Sequence, residues 1–104
     1  MNTEKYLPLT ETTFYILVAL IESGHGYNTM QKVEELSHGS VRVAAGTMYG
    51  ALETLSRLKL IEPIPDVDKR RKTYQTTLLG VEVLKQESKR LKCLVEIAEK
   101  YKLN

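Results

Sequence analysis

Residues 43–61, VAAGTMYGALETLSRLKLI, constrain the fold more than any other part of the chain. The large apolar residues of this stretch are spaced by four, three and three positions, which places them along one side of a helix facing a core. They are Met48, Leu52, Leu55 and Leu58. The opposite side is small or polar, with one cation, and consists of Thr47, Gly50, Thr54 and Arg57 with Tyr49, Glu53 and Ser56 beside them. Because exposed helices more often show Glu/Lys pairs four residues apart, this side indicates either contact with a negatively charged partner or an ordinary solvated surface.

Composition favours one small folded domain. The 104 residues are 42% hydrophobic and 27% charged, and a chain of this length buries about two thirds of its unfolded surface, so a second subunit would add to its core. The longest apolar run, residues 14–21, is too short to cross a membrane, and Cys93 has no second cysteine to pair with inside the chain. Residues 1–6 contain no export signal, so we expect a cytoplasmic protein without membrane contact.

Positive charge is concentrated in the middle of the chain, although the formal net charge is only +2. Residues 1–38 contain five acidic and two basic residues, whereas residues 39–74 contain seven basic and four acidic ones. The middle segment therefore carries a net charge of +3. Such a local field attracts phosphate groups even when the whole protein is nearly neutral.

Apolar periodicity and turn residues predict four helices. Thr10 and Thr77 are expected to cap the first and the last of them, and Gly39 breaks the second. The sequence His25-Gly26-Tyr27 is expected to form a tight connection between the first two. The predicted helices span residues 10–23, 28–37, 45–59 and 78–103, with a short extended piece at residues 41–43.

A β-hairpin with a basic tip is predicted between the third and fourth helices. Residues 60–65 contain Pro63 and Pro65, which lack amide donors and restrict this strand to a sheet edge. Residues 72–77, KTYQTT, are rich in β-forming residues. Four successive cations, Lys69, Arg70, Arg71 and Lys72, occupy the tip, which indicates either a phosphate-binding loop or a solvated turn.

The last predicted helix carries an apolar stripe with nearly heptad spacing. At 1.5 Å per residue this helix would be roughly 35 Å long, more than three helices and a hairpin can cover. We therefore expect the stripe to form a dimer interface, with packing back on its own domain as the alternative. The predicted dimerisation residues are Val81, Leu84, Ser88, Leu91, Leu94, Val95, Ala98 and Tyr101.

The order of these elements is that of a winged helix-turn-helix, a mostly α fold with a small β-hairpin. Its third helix enters the DNA major groove, and its hairpin, the wing, contacts the backbone or the minor groove. We expect a DNA-binding domain at residues 1–77 and a C-terminal dimerisation helix at residues 78–104, in one compact unit. The polar helix side, the basic tip and the apolar stripe are each ambiguous, but in this order they favour DNA binding by a dimer.

Several short pieces of the sequence stand in a known order and spacing across about residues 9–84. They are LVALI at 17–21, HGY at 25–27, GTMYGAL at 46–52 with Leu55, LIE at 60–62, and YQTT at 74–77 with Gly80. Together they resemble the PadR-like transcriptional regulators. The resemblance implies a cytoplasmic regulator of prokaryotic or phage type, usually a repressor, that binds double-stranded DNA at a palindromic operator as a homodimer. It also implies a possible small hydrophobic effector near the dimer interface.

The resemblance assigns residues to the expected DNA interface. Gly46, Thr47 and Tyr49 match the start of the family's recognition helix, where the Tyr hydroxyl and the helix amides contact phosphate. The next outward-facing positions are where base edges would be met, and the wing tyrosine and wing cations of the family match Tyr74 and residues 69–72. The predicted DNA-binding residues are Gly46, Thr47, Tyr49, Gly50, Glu53, Thr54, Arg57, Lys69, Arg70, Arg71, Lys72 and Tyr74.

The chain departs from the family pattern at several positions. Gly50 stands where the family usually has Pro, at a cost in helix propensity of about 1 kcal/mol relative to Ala. Ala44 stands where a capping Ser is common. Lys59 replaces a typical Gly at the end of the recognition helix, so the turn into the wing is expected to differ. The chain has no Trp and thus lacks the family's effector-stacking Trp, which disfavours a sandwiched aromatic effector.

Catalytic and metal chemistry are not indicated. His25 and His38 lack the Cys or carboxylate neighbours that would complete a metal site, since Glu34 and Glu35 before His38 are too few. No glycine-rich phosphate loop is present. We therefore predict no enzymatic activity, metal or cofactor. Two functions stay open: a DNA-binding repressor, and a winged-helix protein-interaction module that docks another protein without binding DNA.

Overall fold

The computed structural model describes residues 2–65, 68 and 70–103, and this part of the chain forms four α-helices and three short strands. A 3₁₀ turn at Glu4–Tyr6 precedes them. In chain order they are α1 (Glu11–Ala19), β1 (Gly24–His25), α2 (Gly26–Leu36), α3 (Ala45–Arg57), β2 (Ile61–Ile64), β3 (Thr73–Thr76) and α4 (Leu78–Lys100). The predicted winged-helix fold class is confirmed. Within the described ranges, none of the helices has the length and apolar character needed to cross a membrane.

The predicted helix caps are confirmed. Thr10 Oγ1 accepts a hydrogen bond from the Thr13 amide, and Thr77 Oγ1 accepts one from the Gly80 amide, each at 3.1 Å. Each bond satisfies one of the amides that a helix start leaves without an intrahelical partner. The capping residues at the starts of α1 and α4 were thus predicted correctly from the sequence.

The ends of the helices differ from the predicted bounds. The helix predicted at residues 10–23 ends at Ala19, because the chain then turns into β1. The helix predicted from residue 28 already begins at Gly26, where Asn28 Oδ1 accepts from the His25 amide at 2.8 Å. At the far end, α4 stops at Lys100. Periodicity locates the body of a helix but not its last turn.

The three strands form an antiparallel sheet in the order β1-β3-β2. β2 lies at an edge, as Pro63 predicts, since an edge strand needs no amide at that position. The extended piece predicted at residues 41–43 is a connection rather than a strand, and the third strand is the two-residue β1. Gly24 pairs with Tyr74 and His25 with Thr73, which ties the α1–α2 connection to the wing.

The core lies between the four helices and one end of the sheet. Its residues come mainly from α1, from one side of α3, from the α3–β2 turn and from the first turns of α4. They are Ile16, Leu17, Ala19, Leu20, Val33, Val43, Met48, Leu52, Leu55, Leu60, Ile61, Val83 and Leu84. Leu58 was predicted to belong to the same buried side as Met48, but it is 43% exposed because α3 ends at Arg57 and the chain leaves the helical path.

A close junction joins the end of α3 to the start of α4. Thr77 Oγ1 donates to the Lys59 carbonyl at 2.7 Å, and the Thr77 amide donates to the Leu60 carbonyl at 3.0 Å. Gly80 packs so tightly that an added Cβ would clash with the Leu60 carbonyl and lie 2.6 Å from Thr76 Cγ2. Lys59 has φ +63°, the left-handed conformation that glycine favours, so the turn is made despite the departure from the family's Gly. We call this contact the α3–α4 junction.

A buried carboxylate attaches the N-terminal segment to α4. Glu87 is 1% exposed, accepts a hydrogen bond from the Leu9 amide at 2.6 Å, and pairs with the Arg90 guanidinium one turn along α4. The hydrogen bond from Arg90 lowers the pKa of Glu87 below its usual value, against the opposing effect of burial. Glu87 therefore stays ionised in a position that an unpaired carboxylate would not tolerate.

Candidate nucleic-acid interface

The outer side of α3 is exposed as the sequence predicts. Met48, Leu52 and Leu55 are buried on the inner side. The predicted DNA-binding residues of α3 are all exposed, whereas Ser56 beside them is half-buried; the exposed residues are Gly46, Thr47, Tyr49, Gly50, Glu53, Thr54 and Arg57. An added Cβ at Gly46 or Gly50 would meet no atom within 4 Å, so neither glycine is required by packing within the chain. A partner can thus approach the α3 backbone closely along this side.

The first turn of α3 has no side-chain cap. Ala44 occupies the N-cap position and makes no side-chain hydrogen bond, in keeping with the sequence departure at this residue. The amides of the first turn consequently keep unused donors at the positive end of the helix dipole. Since residues 44–47 are exposed, these donors can reach an external anion.

Tyr49 is held against the start of α2. A Cβ atom at Gly26 would lie 2.5 Å from Tyr49 Cε1 and 2.9 Å from its hydroxyl, so the ring occupies the space that only glycine leaves free. The side chain of Tyr49 is nevertheless 57% exposed. Gly26 therefore leaves room for the tyrosine ring beside α2, while more than half of the residue stays exposed to solvent.

The described cations of the wing are all exposed to solvent. Arg70 has a side chain that is 92% exposed and pairs with Asp68 at 3.3 Å, and Arg71 and Lys72 are also exposed. Lys69, the remaining predicted cation of this run, lies outside the described residues. Tyr74, in contrast, is half-buried and packs against the core from β3, so it supports the base of the wing.

A cleft of about 760 Å³ lies between α3 and the wing. It brings together seven of the predicted DNA-binding residues, namely Tyr49, Glu53, Arg57, Arg70, Arg71, Lys72 and Tyr74. Four of these described residues are cations and one is an acid, so the cleft carries a positive field. Gly46, Thr47, Gly50 and Thr54 do not line it and lie elsewhere on the exposed surface of α3.

His25 also lines this cleft, although sequence reasoning gave it no part in binding. Its Nε2 lies 3.3 Å from Arg71 Nη1. The residue reaches the wing because β1 pairs with β3. Periodicity does not reveal a strand of two residues, so no sequence signal pointed to this position of His25.

The predicted dimerisation residues divide into two groups along α4. Leu84 is buried in the chain's own core and Val81 is half-buried, which places the first turns of α4 against the domain. Beyond Glu87 the apolar side chains are largely uncovered. The exposed fractions of Leu91, Leu94, Val95 and Tyr101 are 39%, 50%, 54% and 66%. Ser88 is exposed and Ala98 is half-buried. Two apolar residues that were not predicted, Ile97 and Leu103, are also exposed.

Comparison with known proteins bears on this site. Residues 16–86, more than half of the chain, match the model of the transcriptional regulator PadR-like family. That match includes α2, α3 and the wing. No curated protein is significantly similar to the chain in sequence.

Solved structures share the fold over nearly the whole chain. A transcriptional regulator from Clostridium thermocellum superposes with a TM-score of 0.74 at 21% identity, covering 94% of this chain and 91% of its own. A PadR-family transcriptional regulator from Eggerthella lenta gives 0.70 at 23% identity, covering 95% and 83%. A PadR-like regulator from Bacillus cereus gives 0.72 at 22% identity, covering 88% and 91%. At these identities the likeness establishes the fold and no more.

Proposed function

The chain belongs to the PadR-like family of transcriptional regulators and is thus a DNA-binding regulator, and we propose that it represses transcription by binding a palindromic operator as a homodimer. The observation that carries this proposal is the cleft between α3 and the wing. It places a solvent-facing recognition helix beside a cluster of cations, which is the arrangement needed to read bases and hold phosphates together.

Within this proposal, α3 enters the major groove. Glu53 and Thr54 reach base edges, with Glu53 able to accept from a cytosine amino group. Gly50 allows the helix backbone to lie close to the DNA. The uncapped amides of the first turn, together with Thr47 and the Tyr49 hydroxyl, bind one phosphate.

The wing supplies phosphate contacts beside the groove. Arg57 from α3 and Arg70, Arg71 and Lys72 from the wing bind the backbone on the far side of the cleft. Because such contacts release condensed counterions, affinity should fall steeply as the salt concentration rises. We include Lys69 in this set on the basis of sequence alone.

Dimerisation is proposed through the second half of α4. The exposed apolar side chains there repeat at helical spacing on a helix that extends past the domain, and a second copy of the same helix offers a surface of matching chemistry. A dimer would present two α3 helices to DNA, which is why we expect a palindromic site. Repression follows if the bound operator overlaps a promoter.

A groove between α1 and α4 offers a place for the small hydrophobic effector that the family resemblance suggests. The groove has a volume of about 420 Å³, and its apolar lining includes Phe14, Tyr15 and Leu91. Leu91 is also a proposed dimerisation residue. An effector bound there would therefore lie next to the proposed interface.

A mobility-shift titration on the DNA upstream of the encoding gene tests the proposal. Wild-type protein should shift this DNA, and the shift should weaken as salt is raised from 50 to about 200 mM, by roughly 10³-fold or more for six phosphate contacts. Replacing residues 69–72 by Ala should weaken binding strongly. The matched control replaces four lysines of α4, Lys85, Lys89, Lys92 and Lys100, by Ala and removes the same charge away from the cleft.

The alternative function, a protein-interaction module without DNA binding, predicts a different result. In that case no salt-dependent shift would be seen, and wild type and both alanine variants would behave alike. Equal weakening by the two variants would instead show that binding depends on overall charge and not on the wing.

A further inference from the structure

The N-terminal segment, residues 3–9, borders the exposed side of α3, and the proposed function gives it no role. A groove of about 430 Å³ lies between this segment, the start of α1 and the end of α3, and its lining includes Lys5 and Thr54. The residue before Thr54, Glu53, lines the cleft beside the wing instead. Successive residues of a helix project about 100° apart. The wing and the N-terminal segment therefore lie on opposite flanks of the exposed side of α3.

The N-terminal segment is a fixed part of the domain. Thr3 is 7% exposed, and its carbonyl accepts a hydrogen bond from the Tyr6 amide at 3.1 Å. The side chains of Tyr6, Leu7 and Leu9 pack against the core, and the Leu9 amide is bonded to the buried carboxylate of α4. These contacts hold Lys5 at a defined place beside α3. Binding through Lys5 would thus not require the ordering of a loose tail.

Lys5 places a positive charge on this flank of α3. It is exposed, and it is the only charged residue among the described residues that line the groove. Glu4, next to it in the chain, is exposed but does not line the groove. Lys5 Nζ lies 5.2 Å from the centre of the Tyr6 ring. Because the ring carries no net charge, this cation–π contact orients the ammonium group without neutralising it.

A helix in the major groove of DNA has a phosphate backbone on each side. The groove is about 12 Å wide and an α-helix with its side chains is about 10–12 Å across, so the two strands border opposite flanks of the helix. In the proposed complex the wing cations bind the backbone on one flank of α3. We infer that Lys5 binds a phosphate of the other strand on the opposite flank, an inference that rests on the proposed function. The wing and the N-terminal segment then hold α3 between the two backbones.

Fluorescence anisotropy with a labelled duplex from the upstream DNA tests this inference. Lys5→Gln removes one cation from each copy of the proposed dimer. At about 0.15 M salt its affinity should fall by roughly tenfold or more, and the slope of log affinity against log salt concentration should decrease by about 1.8. Lys5→Arg keeps the charge and should keep the wild-type slope.

Lys100→Gln is the matched control for Lys5→Gln. Lys100 is also an exposed lysine next to a tyrosine, with its Nζ 5.9 Å from the centre of the Tyr101 ring, but it lies at the far end of α4. Its replacement removes the same charge and should leave affinity and slope close to those of wild type. Equal weakening by Lys5→Gln and Lys100→Gln would show that binding senses overall charge, and would overturn the inference.

Neutral methylphosphonate linkages, placed one at a time along each strand of a half-site, identify the phosphate that each cation contacts. Such a linkage weakens binding at a contacted phosphate only while the contacting cation is present. Lys5→Gln should lose this sensitivity on one strand beside α3, and the wing variant Lys72→Gln should lose it on the other strand. Loss at the same phosphates in both variants would overturn the inference.

The salt dependence separates failure of the inference from failure of the proposed function. An unchanged slope in a folded Lys5→Gln protein would overturn the inference, while DNA binding by wild type would leave the proposed function standing. Absence of wild-type binding at every salt concentration would overturn both.

Discussion

At the scale of single residues, Glu87 is the clearest case of a polar group held in place by its partners. The carboxylate is buried, and its folded-state pKa is lowered chiefly by the hydrogen bond from Arg90. A carboxylate whose pKa is lower in the folded than in the unfolded state contributes stability above the unfolded value, about 4.3 for Glu, and this contribution is lost as the pH falls through the folded value. Glu87 should therefore stabilise the protein at neutral pH and contribute to acid unfolding.

Replacing Glu87 by Gln should lower the free energy of unfolding by about 1–2 kcal/mol at pH 7, because the amide keeps an acceptor for Leu9 but loses the charge that pairs with Arg90. The difference from wild type should shrink as the pH falls below about 4. Urea unfolding at pH 7 and at lower pH measures both effects. Glu22→Gln is the control, since its carboxylate pairs with Lys32 at 2.8 Å but is 84% exposed, and it should change little.

Sequence reasoning located individual residues well where local chemistry fixes them. Thr10 and Thr77 are caps because each hydroxyl bonds an amide three residues later, a rule that needs no tertiary contact. It missed the cleft position of His25 and the burial of Glu87, whose partners lie 46 and 78 residues away. Such contacts depend on how elements pack, and no local pattern encodes them.

At the scale of elements, the α3–α4 junction depends on a residue without a side chain. Replacing Gly80 by Ala would place a Cβ against the Leu60 carbonyl and Thr76 Cγ2, both of which belong to fixed parts of the junction. We expect a loss of about 2–3 kcal/mol in the free energy of unfolding, measured by urea denaturation. Gly50→Ala is the matched control: it lies on an open side of α3 and should instead gain up to about 1 kcal/mol from helix propensity. Equal effects at both positions would contradict the proposed packing.

Long helices and strands were predicted more accurately than short ones. α3 and α4 show several repeats of the apolar period and were recognised with starts at or near the observed residues. β1 has two residues and therefore shows no period, so the sheet was expected to be a hairpin and not a three-stranded sheet. The turn at Lys59 was expected to differ because the family usually has Gly there; the lysine has φ +63°, a left-handed conformation, beside the hydrogen bonds that Thr77 makes to the Lys59 and Leu60 carbonyls.

At the scale of the whole molecule, the proposed dimer explains the exposed apolar residues of α4. Leu91→Glu would place a charge within the proposed interface and should convert dimers to monomers in sedimentation velocity. Leu78→Glu is the matched control, because Leu78 is 78% exposed at the start of α4 and outside the predicted interface. A dimer mass unchanged by Leu91→Glu would show that the interface lies elsewhere. A monomeric wild-type protein would contradict the proposed dimer.

The overall organisation was predictable because it follows from the order of elements, whereas the division of α4 was not. The heptad-like stripe ran evenly from Val81 to Tyr101 in the sequence, yet Leu84 is buried within the domain and Leu91 is partly exposed. Both the core and a partner subunit require apolar residues at helical spacing, so the pattern is the same for either. Whether an apolar residue of α4 belongs to the core or to the proposed interface depends on how far the domain covers the helix.

The α3–α4 junction ties the end of α3 to the start of α4 through the hydrogen bonds that Thr77 makes to the Lys59 and Leu60 carbonyls. In the proposed dimer, a rotation of α4 about its middle would therefore shift the attached end of α3. Over an arm of roughly 17 Å, which half of the 23-residue α4 provides, a rotation of about 10° moves the junction by nearly 3 Å. That displacement is close to the 3.4 Å step between stacked bases. A small change in the angle at which the two α4 helices cross would thus be enough to bring the two α3 helices into or out of register with the DNA duplex.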